Sequence, residues 1–223
     1  MAKLSNRNIM FIGLVVLLFA AAVFLVVRNR NIEPPAEETP IAVITPDTEA
    51  FVAYSNTENG ITLEMPSDWV ARTTLPGVTI SSSERALSIE SFTDLQTDGV
   101  MVIIPGELST LAFQTGEAFP GPNPEALLNL YIDLLRKEGQ EYLGVVPTEL
   151  FTIDNQEGAK TIVQSRDGDV TLEILMAAIV NEENGFLAFV STAANRENAA
   201  ALRPTFEAIL QTVHIDPPTT TAQ

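Results

Sequence analysis

The sequence contains no cysteine and a single histidine, His214. Without thiols there is no disulfide, no thiolate nucleophile and no Cys-type zinc site. A Ser-His-Asp triad would have to use His214, and no Gly-x-Ser-x-Gly elbow accompanies it. His214 falls at the end of a predicted final helix, beside Asp216, where a cation suits the helix dipole; it reads as a helix-end residue. Basic residues are also scarce, 12 Lys and Arg against 29 Asp and Glu. Four of them, Lys3, Arg7, Arg28 and Arg30, precede residue 32, where no acid occurs. Residues 32–223 therefore carry 8 basic and 29 acidic side chains, a net charge of −21. That field repels nucleic acid and anionic lipid headgroups, so no nucleic-acid partner is expected. It suits a basic protein partner or a cation, or simply keeps the surface solvated.

What the chain does have is a run of nineteen residues, 9–27, without a charge, an amide or a proline. As a helix it would extend roughly 28 Å, matching a hydrocarbon core of about 30 Å. A core helix would show a polar face, and none is present. A cleavable signal has a shorter apolar stretch and a small-residue exit; here Ala20-Ala21-Ala22 lies inside the run and the exit is Val26-Val27-Arg28-Asn29-Arg30. The reading is a retained transmembrane anchor at 9–27 behind a short tail, 1–8. The basic residues number two on each side, and the terminal amine tips the balance toward an inside N-terminus. The rest of the chain then lies outside the cytoplasm, at the cell membrane.

Residues 28–50 read as a linker, with Pro34, Pro35, Pro40 and Pro46 among Glu33, Glu37 and Glu38, a composition that gives an extended spacer. Residues 51–215 are long enough for one domain with its own core. Residues 216–223, with Pro217 and Pro218, read as a flexible tail.

Within the domain, 51–55 and 60–65 read as strands around Asn59-Gly60, a hairpin signal. Short β-like runs follow at 69–73, 78–82, 86–91 and 100–104. Residues 105–123 read as a long Gly- and Pro-bearing loop. Asn123-Pro124-Glu125 has the form of an N-cap, a proline at the first helical position and an acid in the first turn. The helix is predicted to run to about Glu138 and stop at Gly139, with Leu127, Leu130, Tyr131, Leu134 and Leu135 on one face. Strands resume at 148–153, 159–165, 170–180 and 186–191, joined by turns at Asp167-Gly168 and Asn184-Gly185. The last two are nearly all apolar except for Glu173, as expected of central strands covered on both faces. A final helix is predicted over 196–214, with Leu202, Phe206, Ile209, Leu210 and Val213 as its stripe and Pro204 either kinking it or starting its second half. The fold class is α+β, an antiparallel sheet between helices.

Tyr54-Ser55, the Asn59-Gly60 turn, Ile61-Thr62-Leu63-Glu64-Met65 and Pro66-Ser67-Asp68-Trp69 form a strand, a turn and a strand ending in Pro-x-x-Trp. With the closing Arg203-Pro204-Thr205-Phe206 and Ile209-Leu210, this order resembles the PsbP-like fold, an antiparallel sheet sandwiched between helices. The resemblance covers about residues 51–215. Its founding members are extrinsic subunits of photosystem II, and its relatives include anchored bacterial domains. The resemblance implies no catalytic signature and supplies no functional residues.

Other motifs yield little chemistry. Gly158-Ala159-Lys160-Thr161 lacks the glycine before lysine that a phosphate loop needs, and a β-like run follows it. Asp167-Gly168-Asp169 and 181–184 lack the register of a calcium loop and read as turns. Trp69 reads as a core or rim anchor. No metal, cofactor or enzymatic activity is expected. The remaining candidate is the 105–123 loop, where Leu111, Phe113 and Phe119 form a possible binding surface unless they tuck onto the sheet edge. The function expected is an accessory or assembly protein with a protein partner. The alternatives are a small-ligand or cation-binding module and a carboxylate hydrolase using Glu107 and Glu117. For the orientation, protease added to intact cells is expected to digest the C-terminal domain; full protection would reverse the assignment.

Overall fold

The computed structural model describes residues 50–74, 77–88, 92–115, 119–137, 140–167 and 169–219. The expected tail, anchor and nearly all of the linker lie outside the described residues. Among those described, no helix is long and apolar enough to cross a membrane.

Strands β1 (Phe51–Asn56) and β2 (Ile61–Pro66) form the expected hairpin, pairing from Phe51 opposite Pro66 to Asn56 opposite Ile61. Then come β3 (Val70–Thr74), β4 (Gly77–Ser81), β5 (Gly99–Glu107) and helix α1 (Leu108–Thr115). Helix α2 (Pro124–Lys137) leads to β6 (Tyr142–Val145), β7 (Glu149–Ile153), β8 (Gln156–Asp167), β9 (Val170–Asn181) and β10 (Phe186–Asn195). Helix α3 (Arg196–Leu210) and a two-residue strand, β11 (His214–Ile215), complete the described chain. The pairing is antiparallel throughout. One sheet has eight strands in the order β3-β4-β5-β10-β9-β8-β6, with β7 also on β8; a second has the order β1-β2-β11. The expectation of a single sheet is thus corrected to two.

β9 shows why the large sheet needs cover on both sides. Leu175, Ala177 and Ile179 face one core with Phe206, Ile209 and Leu210 of α3 and Ile61, Leu63 and Met65 of β2. Their neighbours Leu172, Ile174, Met176, Ala178 and Val180 face a second core under α2. Successive side chains of a strand point to opposite faces, so an all-apolar strand must be buried twice. The acid in this strand, Glu173, lies on the α3 side, where Arg203 donates to its Oε1 through Nε at 2.9 Å and Nη2 at 2.7 Å.

α2 begins as predicted, with Asn123 Oδ1 accepting from the Ala126 amide at 2.9 Å. Its buried residues are Pro124, Leu127, Leu128, Tyr131, Ile132 and Leu135, at spacings of three, one, three, one and three. Leu128 and Ile132 thus take the core positions expected for Leu130 and Leu134, which are only partly buried. Trp69 meets Phe206 edge to face at 5.6 Å between centroids, the core anchor expected.

Three expectations need correction. The predicted strand at 86–91 is a 3-10 turn over Ala86–Ser88, with 89–91 outside the described residues. Arg85 gathers this stretch, donating to the carbonyls of Asp94 at 2.7 Å and Leu95 at 3.0 Å and pairing with the Asp98 carboxylate. The predicted loop from 105 is strand up to Glu107 and then α1. β4 pairs with β5 only as far as Ile103, so the missing N–H of Pro105 leaves no ladder bond unmade on that side. Last, α3 stops at Leu210 rather than at 214 and runs through Pro204 without a break. Thr212 Oγ1 donates to the Ile209 carbonyl at 2.8 Å and accepts from the Glu64 amide at 2.8 Å, tying the helix end to β2. His214 therefore lies in β11, opposite Thr62.

Gly60 closes the β1–β2 turn at φ 65°, and its carbonyl accepts from the Asp216 amide at 2.9 Å. A Cβ there would come within 1.9 Å of the Asp216 carbonyl oxygen. Gly185, at φ 75°, faces open space. Gly60→Ala is expected to cost at least about 2 kcal/mol and Gly185→Ala about 1 kcal/mol. Urea unfolding of both variants checks this; equal losses would mean that β11 is not closed against the turn.

Candidate functional site

The residues singled out from the sequence do not form one cluster. Leu111 and Phe119 pack against the core under α2, as does Leu108. Phe113 does not: it is 75% exposed. On a helix, positions three and four apart share a face, so Phe113 lies one turn beyond Ser109 and Thr110. Both hydroxyls donate to Glu107 Oε2 at 3.3 Å. The outer face of α1 thus carries a bare aromatic ring a turn away from a carboxylate. Phe113 is the part of the predicted surface available to a partner.

α1 starts beside a set of turns. The Leu108 amide donates to the Gly185 carbonyl at 2.9 Å, and Glu107 stands opposite Phe186. From there the ends of β10, β9, β8 and β7 follow in order across the sheet. Asn155, in the β7–β8 turn, donates through Nδ2 to Glu183 Oε2 at 2.8 Å, joining that turn to the β9–β10 turn. β11 sits beneath them, its Ile215 carbonyl accepting from Asn181 at 3.2 Å and Asn184 at 3.0 Å. Glu107, Asp154, Glu157, Glu182, Glu183 and Asp216 are all exposed along this end. Neither its turns nor α1 contains a Lys or Arg. The cations are on the body of the domain: Arg72 pairs with Glu84, Arg136 with Asp133, Arg203 with Glu173, and Lys160 with Glu207 and Glu149.

The other candidates have structural roles. Both ring nitrogens of His214 are engaged, Nδ1 by Gln156 Nε2 at 3.4 Å and Nε2 by Asp154 Oδ2 at 3.4 Å. Glu107 caps the hydroxyls of α1, and Glu117 lies outside the described residues. Among the described residues no group of three or more His, Asp or Glu side chains is placed to hold a metal ion. Lys160 is in the middle of β8, not in a loop.

A further surface was not foreseen. β6 and β7 both pair with β8 and leave their other edge open. Leu143 and Val146 are 47% exposed there and Leu150 is 69% exposed. Pro147, between the two strands, interrupts that edge, a common guard against strand addition. The signal was present as Leu-Gly-Val-Val before a proline, but four residues are too few to show a period.

The yeast Saccharomyces cerevisiae Ran-binding protein Mog1p superposes with a TM-score of 0.50 at 11% identity, over 74% of this chain and 95% of that one. The PsbP-like fold is confirmed. Cyanobacterial PsbP from Synechocystis is also similar, with a TM-score of 0.48 at 14% identity over 82% of this chain and 100% of that one. LpqN of Mycobacterium tuberculosis, involved in cell envelope biogenesis, gives 0.44 at 15% over 75% and 91%. No protein-family model matches the sequence, and the comparison with curated proteins finds no match.

Among the described residues of this PsbP-like domain, the side chains with shifted ionisation are two tyrosines packed under α2, the buried Tyr131 and the half-buried Tyr142. Burial pushes the Tyr131 phenol up from 10.0 to about 12, partly offset by its hydrogen bond with Ser191. Tyr131 also stacks on Phe189, centroids 4.5 Å apart. Burial likewise raises Tyr142, and the negative charge of an ionised Tyr131 would raise it further, while the Arg136 guanidinium opposes both. The folded domain therefore retains phenolic protons that the unfolded chain releases above about pH 10. Stability is expected to be full below about pH 10 and to fall by about 1.4 kcal/mol per pH unit per retained proton toward pH 12. Urea unfolding at pH 9 and 11 measures the slope, which Tyr131→Phe should reduce. An unchanged slope in that variant would show the phenol to be solvated.

Proposed function

We propose that this chain is a non-enzymatic accessory or assembly protein. Residues 9–27 tether it to a membrane and the PsbP-like domain, 51–215, stands outside the cytoplasm, where a protein partner docks on the outer face of α1. The observation that carries this reading is Phe113, a large aromatic ring left in water on a helix whose two leucines, Leu108 and Leu111, pack against the core. Aromatic residues are enriched where interfaces derive their binding energy. That Mog1p, a protein of the same fold, is Ran-binding supports a protein as the class of partner. The engagement of His214 by Gln156 and Asp154 supports a non-catalytic role for the lone imidazole.

The test is in-cell photocrosslinking of the tagged full-length chain from position 114, beside Phe113 and also exposed, followed by mass spectrometry. A recurrent protein partner is expected, with the yield falling about tenfold or more in Phe113→Ser. Because Phe113 is exposed, that variant should keep its folding stability within about 0.5 kcal/mol. A yield unchanged by the substitution, or no partner above background, would overturn the proposal.

A further inference from the structure

Resting on the reading that a protein docks on α1, we infer that the partner presents a basic segment, and that the acidic end of the sheet receives it. The argument begins from where the charges are. Glu107 stands at the base of α1, its carboxylate held by the Ser109 and Thr110 hydroxyls one turn before Phe113, and the Leu108 amide is bonded to Gly185 in the turn that carries Glu182 and Glu183. Asn155 holds Glu183 at 2.8 Å, which brings Asp154 to the same row. No Lys or Arg interrupts this row.

The domain cannot neutralise these groups itself. Arg72, Arg85, Arg136, Lys160 and Arg203 are each paired with a carboxylate elsewhere, Arg166 and Arg196 are also engaged, and the eighth basic residue, Lys137, ends α2 ahead of β6, whose Tyr142 lies opposite Ser165, at the other end of β8 from Glu157. Exposed carboxylates that no Lys or Arg meets, on the same side of the fold as an exposed apolar ring, select a partner that carries cations beside an apolar contact. A second copy of this chain is disfavoured, since residues 32–223 carry a net charge of −21 and would repel one another. Anionic lipid is excluded by the same sign. Interactions of this kind are screened beyond roughly 8 Å at physiological salt, so the docking is salt-sensitive.

The experiment extends the crosslinking at position 114 with two charge variants of the full chain. Glu182→Lys with Glu183→Lys reverses the acidic row. Asp94→Lys with Asp169→Lys makes the same net change at the opposite end of the sheet. The expected result is a crosslinked partner peptide rich in Lys or Arg. Its yield should fall about tenfold in the first variant and stay near wild type in the second. Crosslinking of the purified pair should also weaken steeply between 50 and 300 mM salt, roughly as screening lengths shorten. A partner captured equally by both variants would overturn the basic segment while leaving the docking on α1 intact. A crosslinked dimer of this chain, or a partner peptide without basic residues, would also overturn it. Loss of every partner, including from the wild-type chain, would remove both readings.

Discussion

β9 must be kept from water on both faces, and the rest of the domain is arranged around that demand. Twelve residues long and apolar on both sides, it cannot sit at an edge or leave one face exposed. Each large side chain taken fully out of water contributes about 1.5–3 kcal/mol, so both faces are strong sites for docking. Helices of 14 and 15 residues are marginal in isolation, at about the length where a helix is barely stable in water. α2 and α3 therefore owe their stability to the faces of β9 and its neighbours. Glu173 is the tolerated exception. A buried carboxylate without a partner would be costly, and Arg203 arrives from α3 at that position to meet it. The same contact fixes how far α3 can turn about its own axis.

A second constraint concerns the chain's exit from α3. β11 has only two residues, too few to hold by backbone pairing alone. Side-chain amides make up the difference. Gln156 donates to the Val213 carbonyl at 3.0 Å and accepts from the Ile215 amide at 2.9 Å. Asn181 and Asn184 both reach the Ile215 carbonyl. These residues belong to the ends of β8 and β9 and to the turn after β9. The bonds that secure the small sheet thus also hold the strand ends and turns from which the acidic residues project.

Much of the architecture was legible because its signals are local. Asn59-Gly60 and Asn184-Gly185 each place a glycine where the backbone turns left-handed, and Asn123-Pro124 starts a helix with a cap and a fixed φ. The run from Leu172 to Val180 announces a doubly covered strand without further context. The errors occur where long-range partners decide the conformation. Ala86-Leu87-Ser88 has a strand's composition, but Arg85 binds carbonyls nine and ten residues ahead. Pro105 and Gly106 read as loop, yet β10 supplies a ladder on one side and nothing needs the missing N–H on the other. Periodicity predicted a helix to His214; Thr212 ends it early by bonding to β2, 148 residues away in sequence. The candidate site was legible in part. Three apolar residues stood out in one segment, but only a structure separates Leu111 and Phe119, which are packed, from Phe113. The acidic end could not be read at all, because its carboxylates come from five turns and strand ends scattered between Glu107 and Asp216.

The distribution of charge gives the clearest account of how such a surface can discriminate. Five cations of the domain, Arg72, Arg85, Arg136, Lys160 and Arg203, pair with carboxylates on its body, where exposed ion pairs contribute little to stability, typically about 0–1 kcal/mol. Their pairing with those carboxylates leaves the acidic end with no Lys or Arg of its own. Attraction from that end extends over roughly a Debye length, about 8 Å in physiological salt, and carries no shape information. The Phe113 ring acts only in contact, through the area it removes from water and the shape of what covers it. In the proposed docking, charge would govern encounter and disfavour anionic surfaces, while the ring would govern how long a correctly shaped partner stays. Either feature alone would be weak: an acidic end without the ring would bind any polycation, and a lone exposed ring would bind any apolar patch. Glu107 and the Leu108–Gly185 hydrogen bond join the two features at the start of α1, and a partner docking there as proposed would have to satisfy both.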